Sequence, residues 1–348
     1  MQTLIQTTSQ LERHLKTINS DSRLAIDTEF KRINTYYPEL CLVQIATTHS
    51  AECIDILSIN DLEPLFEKLY HNQTEWIVHS ARQDIEALYH LSKRIPSSLF
   101  DTQIAASLLN YPLQISYQAL TEILQDVQLD KSFTRFDWTT RPLPANVVEY
   151  ALDDVRYLLP NFEKLNHELT ISKKIQWLDE ETRFLLDSEL YNPNIEQICY
   201  KTKGLSHLGK KFQVKAIKLA AWRERNAQQK NKPRKWIMSD KKLLDYACEK
   251  SKLSTRSQKL FNNFVKESSE TLFISELLTP QKPLTNSEKS KKNELQRIIN
   301  SIAEAYNLPP EVISTSKSLI RFMRGDLSSP LCIGWRAKLF NNKELNAK

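Results

Sequence analysis

The first hydrophobic runs of the chain are short and are separated by polar breaks. Three runs within residues 23–57, LAIDTEF, ELCLVQIATT and AECIDIL, have the size and the β-branched or aliphatic content of strands. Their connections are short, so we expect an antiparallel meander. EWIVHSA indicates another buried strand, and RQDIEALYHL after it has helical spacing at Ile85, Leu88 and Leu91. This order of elements predicts a mixed sheet flanked by helices.

Helical patterns dominate from about residue 101 onward. DTQIAASLLN and SYQALTEILQD predict two helices, and a longer helix follows Pro144, which suits a first helical turn. Pro160 predicts a kink or break in that longer helix, because proline lacks a backbone N–H. Apolar periodicity is lost after residue 190, and we interpret residues 191–204 as a linker.

Two small all-helical segments are predicted after the linker. LGKKFQVKAIKLAAWRERNAQQKNK is a basic amphipathic helix, and a second helix follows with Ser239 or Asp240 as its N-cap. A polar stretch at residues 278–293 separates a further helical segment that ends at Trp335.

Charge is distributed very unevenly. Residues 1–200 carry 17 basic and 29 acidic residues, whereas residues 201–348 carry 31 basic and 13 acidic residues. This asymmetry indicates a polyanion-binding module attached to a domain with another task, although a solvated lysine-rich helical surface would look the same. Residues 1–203 contain no glycine, which excludes a Walker loop or a dinucleotide-binding fingerprint there.

The cysteines and the apolar stretches indicate in which cellular compartment the protein is expected. Five cysteines without a CxxC pair fit neither a disulfide framework nor a zinc site, so we expect buried thiols in a reducing compartment. The first residues lack the pattern of a secretory signal. The longest uncharged stretch, residues 102–121, contains Pro112 and several polar side chains. We therefore expect no membrane span and a cytoplasmic protein.

Two acidic residues stand within the first strand-like run. Asp27 and Glu29 are two positions apart, which places both carboxylates on one face of a strand. Carboxylates on one face repel each other unless a cation lies between them, and a divalent metal with oxygen ligands fits this need. Asp84, in the first turn of the helix after WIVHS, is a further candidate, although an acid there also suits the helix dipole.

A tyrosine and an aspartate supply the last part of the pattern. Tyr150 and Asp154 are four residues apart, so they lie roughly 40° apart on one helix face. Asp153 lies about 60° away on the other side, which mildly favours Asp154 as the partner. Four carboxylates match the charge of two divalent cations, as in a phosphodiester-cleaving site with metals ~3.5–4 Å apart.

In this order, the motifs resemble those of a known family. DTEF, HSARQDIE and YALDD are similar to the three exonuclease motifs of the DEDD superfamily in its tyrosine subclass. FKRINTYYPELCLVQIAT looks like the ribonuclease D family. LAAWRERNAQQKNKPRKWIMSD is similar to the helicase-and-RNase-D C-terminal (HRDC) domain, and IAEAYNLPPEVISTSKSLIRFM with GWRAKLF resembles a terminal HRDC-like domain. The resemblance covers nearly the whole chain.

The resemblance implies a fold and a domain organisation. The expected fold is an α/β ribonuclease H-like mixed sheet flanked by helices, followed by two small all-α helical domains. The expected domains are an exonuclease domain, a linker, an HRDC domain and a C-terminal HRDC-like domain, at residues 1–190, 191–204, 205–280 and 288–348.

The resemblance also implies an activity, a 3′→5′ exoribonuclease that trims tRNA precursors and other small structured RNAs with 3′ tails and releases nucleoside 5′-monophosphates. Asp27, Glu29 and Asp154 would bind the first of two divalent ions, Mg²⁺ or Mn²⁺. Asp27 would bridge to the second ion, and Asp84 would hold that ion directly or through water. Tyr150 would position the nucleophilic water. We expect a monomer.

A basic cluster in the second half is the candidate RNA-binding surface. It ends in Trp236, which is either a stacking platform or, as we favour for it and for Trp222, part of a helical core. We expect RNA-backbone contacts, and hence a strong salt dependence of binding, from Arg223, Arg225, Lys232, Arg234 and Lys235.

Two uncharged polar residues near the motifs have open roles. His79 precedes the Asp84 helix and is either a substrate contact or, more often in such a place, a satisfied polar group at a strand end. Gln44, at an alternating position in LCLVQIA, either reaches a base or ribose edge or is a buried hydrogen-bonded amide.

Two other functions compete with the exoribonuclease. The first is a DNA exonuclease like the proofreading domains of polymerases, which share the three motifs. The HRDC-like segments and the lack of a polymerase-sized segment argue against it. The second is a catalytically silent RNA-binding protein, which would have no reason to keep four repelling acids and Tyr150 together.

Overall fold

The computed structural model divides the chain into two compact units. The first unit comprises Met1–Lys31, Leu40–Ser188 and Leu284–Lys348, and the second comprises Arg32–Glu39 and Glu189–Pro283. The structure describes residues 3–18, 22–130, 132–267, 277–280 and 282–346, without the side chains of residues 342–346.

One mixed sheet is the centre of the first unit. Within the described residues its strands are β1 (Leu4–Ile5), β2 (Arg23–Lys31), β3 (Glu39–Ala46), β4 (Ala51–Asp55), β5 (Glu75–Val78) and β6 (Ser98–Asp101). They are ordered β1-β4-β3-β2-β5-β6. The pairs β1–β4, β2–β5 and β5–β6 are parallel, whereas β3–β4 is antiparallel. The three strands expected as a meander are therefore neighbours in the sheet, and the predicted mixed sheet is confirmed.

Helices surround this sheet and form the second unit. In chain order they are α1 (Thr8–Thr17), α2 (Glu63–Leu69), α3 (Arg82–Ser92), α4 (Thr102–Leu108), α5 (Tyr117–Gln125), α6 (Ala145–Arg156), α7 (Leu158–Ile171), α8 (Ile175–Thr182), α9 (Ile195–Tyr200), α10 (Lys210–Gln229), α11 (Arg234–Ile237), α12 (Asp240–Ala247), α13 (Thr255–Glu267), α14 (Asn286–Tyr306), α15 (Pro310–Ile313), α16 (Ser316–Met323) and α17 (Gly334–Asn346). Short 3₁₀ turns lie at Arg183–Leu186, Ser188–Leu190, Leu205–His207 and Pro330–Cys332. Among the helices of the described residues, none has the length and apolar character that a membrane span needs.

The long helix expected after Pro144 is interrupted. It is divided at Tyr157 into α6 and α7, and Pro160 lies in the first turn of α7. A proline at this position sacrifices no helical hydrogen bond, because the first N–H groups of a helix have no intrahelical acceptor. The predicted break is confirmed, and it allows α6 and α7 to contact β2 separately.

The C-terminal helices share the core of the first unit. Ile299 of α14 and Phe340 of α17 belong to the same buried cluster as Phe162 of α7. Trp335 stacks on Trp177 of α8 with the ring centroids 4.5 Å apart and the planes at 10°. Residues 288–348, expected as a separate domain, thus belong to the same compact unit as the sheet, and the proposed domain division remains a prediction.

The second unit is helical and has its own core. Trp222 of α10, Leu243 of α12 and Phe261 of α13 are buried together in it. Residues 191–204 differ from the expected linker, because they contain α9, whose Ile198 and Cys199 are buried in this unit. A six-residue helix is too short to show apolar periodicity in the sequence.

Side chains that accept hydrogen bonds from backbone N–H groups fix two points of the second unit. Ser239 is the N-cap of α12 and accepts a hydrogen bond from the backbone N–H of Lys242, as one of the two predicted caps. The Oδ1 of Asn231 accepts hydrogen bonds from the backbone N–H groups of Tyr36 and Tyr37 at 3.0 and 3.1 Å. Residues 32–39 are thereby held in this unit.

Candidate active site

Strand β2 presents two carboxylates on one face. Side chains alternate along a strand, so Asp27 and Glu29 point to the same side, whereas Thr28 between them points to the other. Leu24, Ala25 and Ile26 are fully buried and anchor the strand in the core. The two acids lie where the buried part of the strand gives way to partly exposed positions.

Helix α6 brings a third carboxylate to this pair. Asp27, Glu29 and Asp154 each offer one oxygen atom, and these oxygens all lie within 4.8 Å of one another. Asp154 is on α6, which contacts both β2 and β4. The strand and the helix thus place the three acids together, as the spacing of the motifs predicts.

Asp84 lies beside this cluster, in the first turn of α3. Its side chain is buried, and its Oδ1 accepts a hydrogen bond of 2.5 Å from the hydroxyl of Thr28. It is outside the group of three oxygens, but its charge acts on the pKa values of Asp27 and Glu29. Asp84 is therefore a fourth acid beside the cluster, although it is not one of the three whose oxygens lie within 4.8 Å of one another.

The acidic neighbour of Asp154 has a different environment. Asp153 accepts a hydrogen bond of 2.6 Å from Arg156 on the same helix. The Arg156 guanidinium also donates to Glu149. Asp153 is absent from the group of three oxygens. The geometry thus separates the two consecutive aspartates and agrees with the choice of Asp154 from the helical spacing.

The cluster is electrostatically strained. Burial, followed by the charges of the other carboxylates, raises the pKa of Asp27 and of Glu29 well above their ordinary values. Burial also raises the pKa of Asp84 and of Asp154 to about 7. Bound divalent cations would relieve this repulsion, and carboxylate oxygens are ligands that Mg²⁺ and Mn²⁺ prefer. The residues present therefore fit a divalent metal site.

Tyr150 lies one helical turn before Asp154 and is held by a loop. The ring of Phe133 packs edge-on against its ring, with the centroids 5.8 Å apart. The side chain of Thr134 forms a hydrogen bond with the Tyr150 hydroxyl. Burial is the main cause that raises the pKa of Tyr150, so the phenol is protonated at neutral pH. Thr134 was not predicted as a site residue, because its loop has no periodic pattern in the sequence.

The two open polar residues are both inside the fold. The Nδ1 of His79 lies 2.9 Å from the Thr102 hydroxyl, and its Nε2 lies 2.9 Å from the carbonyl oxygen of Ile115. His79 thus matches the interpretation as a satisfied polar group at a strand end. Gln44 is completely buried in β3, and neither polar atom of its amide has a hydrogen-bond partner among the described residues.

The predicted RNA-binding cations differ in their environments. Arg223 is only 5% exposed, and its guanidinium binds Asp240 at 2.6 Å and the carbonyl oxygen of Met238. This arginine holds α10 against α12, so its placement contradicts the expected contact with an RNA backbone. The sequence did not reveal this, because its helix is basic on several faces.

The other four cations are exposed, with different partners. Arg234 forms an ion pair of 2.6 Å with buried Glu224, and Arg225 lies 3.6 Å from Glu267. Lys232 and Lys235 are exposed.

The two tryptophans of this region are also in unlike places. Trp222 is buried as expected, but Trp236 is 56% exposed, so its interpretation as a core residue was wrong. The Nζ of Lys232 lies 5.9 Å from the centroid of the Trp236 ring. An exposed indole beside lysines leaves the stacking platform as the remaining interpretation.

Fold and acidic site together define a class of protein, and the comparisons with known proteins agree. Carboxylates from a sheet strand and two helices, clustered on one face of the sheet, are an arrangement for metal-assisted hydrolysis of phosphodiesters. The family model described as "3'-5' exonuclease" matches residues 2–170. The class is a 3′–5′ exonuclease.

Full-length relatives narrow this class. The chain is 34% identical to ribonuclease D of Bartonella henselae, with 99% of this chain and 89% of the relative covered. It is 31% identical to ribonuclease D of Nitrobacter hamburgensis, and the match covers 99% of this chain and 94% of the relative. The chain belongs to the ribonuclease D family. The predicted family and enzyme class, a 3′→5′ exoribonuclease, are confirmed.

Solved structures show the same fold. The crystal structure of Escherichia coli RNase D, described as an exoribonuclease involved in structured RNA processing, matches with a TM-score of 0.84 and 24% identity. The match covers 99% of both chains. The catalytic core of RRP6 from Trypanosoma brucei matches with a TM-score of 0.57 and 22% identity, over 78% of this chain and 81% of that one. The predicted ribonuclease H-like fold class is confirmed.

Proposed function

We propose that the protein trims the 3′ ends of tRNA precursors and other small structured RNAs by two-metal-ion hydrolysis. The observation that carries the proposal is the group of Asp27, Glu29 and Asp154, whose oxygens lie within 4.8 Å of one another beside Asp84. The family supplies RNA as the substrate. The proposed location is the cytoplasm and the proposed state is a monomer, and the free cysteines are compatible with a reducing compartment.

The proposed metal ligands follow from the cluster. Asp27, Glu29 and Asp154 would hold one ion, and Asp27 together with Asp84 would hold a second, Asp84 directly or through water. Bound ions, Mg²⁺ or Mn²⁺, would supply positive charge for the attacking water, the scissile phosphate and the leaving 3′-oxygen. The mutual repulsion of the acids supports this assignment, since it makes the cluster a strong site for cations.

Tyr150 orients the attacking water in this proposal. Its phenol is protonated at neutral pH, because burial raises its pKa, and it can therefore donate or accept a hydrogen bond. The water oxygen bonds to the phosphorus of the last phosphodiester, and the bond from phosphorus to the 3′-oxygen breaks. The shortened RNA keeps that oxygen as a 3′-hydroxyl after taking up a proton, and the terminal nucleotide leaves as a 5′-monophosphate.

The second unit contributes affinity for RNA in this proposal. Lys232, Lys235 and Arg225 are the exposed cations of the predicted cluster that remain candidates for backbone contacts, and Arg234 is exposed but paired. Phosphate contacts of this kind raise affinity without reading sequence.

Digestion of a 5′-labelled single-stranded RNA tests the proposal. Wild-type protein with Mg²⁺ should give a ladder that shortens from the 3′ end one nucleotide at a time, and EDTA should abolish it. Asp27→Asn should lower the rate by more than about 100-fold, since even the hydrogen-bond partners of metal ligands contribute about 10–100-fold. Asp153→Asn is the matched control, because this acid is outside the cluster, and its rate should stay within a few-fold of wild type.

Substrate arms of the same experiment separate the alternatives. A tRNA precursor with a short 3′ tail should be shortened to its mature end, and a deoxyribo-oligonucleotide of the same sequence should be a poor substrate. Preferred digestion of the DNA would overturn the assignment to RNA. Intact RNA in all lanes, with binding retained, would support the silent RNA-binding protein instead.

A further inference from the structure

Gln44 is a buried polar residue with unsatisfied hydrogen-bonding groups. Its side chain is fully buried in β3, and both Nε2 and Oε1 lack a partner among the described residues. A buried polar group without a hydrogen bond destabilises the fold, and most buried side-chain polar atoms in folded proteins have a partner. A buried amide without hydrogen bonds in the middle of a sheet therefore destabilises the fold, and a functional role would explain why it is there.

The sheet places Gln44 on the face of the active site. It is directly opposite Cys53 in the antiparallel pair β3–β4, so both side chains are on one face. The thiol of Cys53 lies 3.8 Å from the carbonyl oxygen of Val148 in α6, which identifies this face as the one that α6 covers. The charges of Glu29 and Asp27 act on the Cys53 thiol and help to raise its pKa. Asp27 and Glu29 cluster with Asp154 of α6, so they are on this face too, and Gln44 is on the strand next to theirs.

The carboxylate of Asp27 has few hydrogen-bond donors around it. It is surrounded by the charges of Asp84, Asp154 and Glu29, and the hydrogen bond that the structure gives it comes from the backbone N–H of Thr28. An ionised carboxylate accepts several hydrogen bonds, whereas a glutamine amide has two N–H groups to donate. Carboxylates that bind metals are themselves held by hydrogen bonds from neighbouring groups.

We propose that Gln44 is a positioning residue of the metal site, whose side-chain amide donates a hydrogen bond to the carboxylate of Asp27 when the cluster binds divalent ions. The inference rests on the proposed function of the four acids. The bond orients the carboxylate that contacts both ions, and it adds a neutral donor to a site that is crowded with negative charge. Gln44 is buried, so it does not contact the RNA itself.

An apolar residue of the same shape distinguishes this role from a purely structural one. Gln44→Met removes both polar atoms and keeps the length of the side chain. An idle amide replaced in this way leaves activity unchanged and stabilises the fold, because the unsatisfied groups disappear. A positioning amide gives the opposite pattern, with a fold at least as stable as wild type and a weakened metal site. Gln44→Asn, which keeps the amide but is one methylene shorter, tests the reach of the bond.

The measurement is a calorimetric titration of the full-length protein with MgCl₂ in the absence of RNA, alongside thermal unfolding and steady-state trimming of a 3′-tailed RNA. For Gln44→Met we expect an apparent Kd for Mg²⁺ that is about 10- to 100-fold higher. We also expect kcat to fall by a similar factor, a KM for RNA within about two-fold of wild type, and an undiminished Tm in EDTA. For Gln44→Asn, the Kd for Mg²⁺ and kcat should lie between those of wild type and those of Gln44→Met.

A second buried amide of the first unit is the matched control. Asn161 of α7 is fully buried and satisfied, since it donates to Thr121 and accepts from Gln125. Asn161→Leu should lower the Tm and leave the Kd for Mg²⁺ unchanged. A Gln44→Met protein with wild-type Mg²⁺ affinity and kcat would overturn the role of Gln44. If wild type itself neither binds Mg²⁺ nor trims RNA, the proposed function fails, which is a different result.

Discussion

The hydroxyl of Thr28 donates a hydrogen bond of 2.5 Å to Oδ1 of Asp84, and this bond joins β2 to α3 beside the acidic cluster. Thr28 stands between Asp27 and Glu29 in the chain but faces the other side of the strand. Burial raises the pKa of Asp84 to about 7, and the bond from Thr28 limits that rise. The residue between the two strand acids thus helps to keep the helix acid ionised.

Removal of the Thr28 hydroxyl should therefore shift the pH dependence of trimming. In Thr28→Val the Asp84 carboxylate loses a donor, its pKa rises further, and the acidic limb of the kcat/KM profile moves to higher pH. A hydrogen bond to a charged group is worth about 1.5–3 kcal/mol, which corresponds to about one pH unit or more. Thr28→Ser keeps the hydroxyl and should retain the wild-type profile. Superimposable profiles for the valine and serine variants would contradict this role.

The acidic cluster also predicts how the stability of the metal-free protein depends on pH. The pKa values of Asp84 and Asp154 are raised to about 7 in the folded chain, from an ordinary value of 3.8. Between these values the folded state binds more protons than the unfolded state, so the contribution of these two acids to stability is greatest at low pH and is lost as the pH rises. In EDTA, the Tm should fall between about pH 4 and pH 8, and Mg²⁺ should restore more at pH 8 than at pH 5.

A variant isolates the contribution of the cluster to this trend. Asp154→Asn removes one of the repelling acids, so its Tm in EDTA should depend less steeply on pH than that of wild type. Equal slopes for the two proteins would show that the trend arises elsewhere in the chain.

The sequence predicts the acidic cluster because periodicity fixes which side chains share a face. The two-residue spacing of Asp27 and Glu29 and the four-residue spacing of Tyr150 and Asp154 each follow from local geometry alone. The strand β1 was missed because two residues are too few to show an alternation, and β6 because α4 follows it without a break. Contacts between distant segments, such as the stacking of Trp335 on Trp177, leave no local pattern at all.

The placement of Arg223 shows a second limit of the sequence. Charge and helical spacing place Arg223 in a basic cluster. They do not show that its guanidinium donates hydrogen bonds to Asp240 and to the carbonyl oxygen of Met238. In the sequence, a buried arginine with two hydrogen-bond acceptors and an exposed lysine both count only as one positive charge. Only the tertiary contacts separate a stabilising cation from a candidate RNA contact.

Gly334 should be essential for attaching the last helix. Its φ is +59°, and a Cβ placed there would lie 1.9 Å from Oε2 of Glu180, the atom that accepts a hydrogen bond from the backbone N–H of Trp335. Gly334→Ala should therefore cost about 1–2 kcal/mol through left-handed backbone strain and should also weaken this hydrogen bond. Urea unfolding measures the loss.

Gly325 is the matched control for this substitution. Its φ of +80° imposes a similar backbone strain, but among the described residues no atom lies within 4 Å of the position that a Cβ would take. Gly325→Ala should lose less stability than Gly334→Ala. Equal losses would mean that the contact with Glu180 adds nothing.

Lys232 and Lys235 should contribute to RNA affinity without contributing to the fold. Both are exposed. The double variant Lys232→Ala/Lys235→Ala should bind single-stranded RNA more weakly and reduce the slope of log K against log salt by about 0.7 for each lost phosphate contact. Filter binding at several salt concentrations measures this slope, and the Tm should not change.

Arg223→Ala is the contrasting variant in the same helical unit. Arg223 is buried, and its partner Asp240 is 40% exposed. Loss of the guanidinium should destabilise the unit by about 1–3 kcal/mol and leave the salt dependence of RNA binding unchanged wherever the protein is folded. An unchanged salt slope in the lysine double variant would remove these two lysines from the RNA-binding surface.

Trp236 should act as a stacking platform for an RNA base. Its ring is 56% exposed and lies beside Lys232, so a base on its face would gain both stacking and a nearby cation. Trp236→Ala should lower the affinity for single-stranded RNA by about 1–3 kcal/mol, and Trp236→Phe should retain part of it. Trp222→Ala, in contrast, should destabilise the helical unit by about 3–5 kcal/mol, because this ring is buried against Phe261. Wild-type RNA affinity in Trp236→Ala would show that the exposed indole has no part in binding.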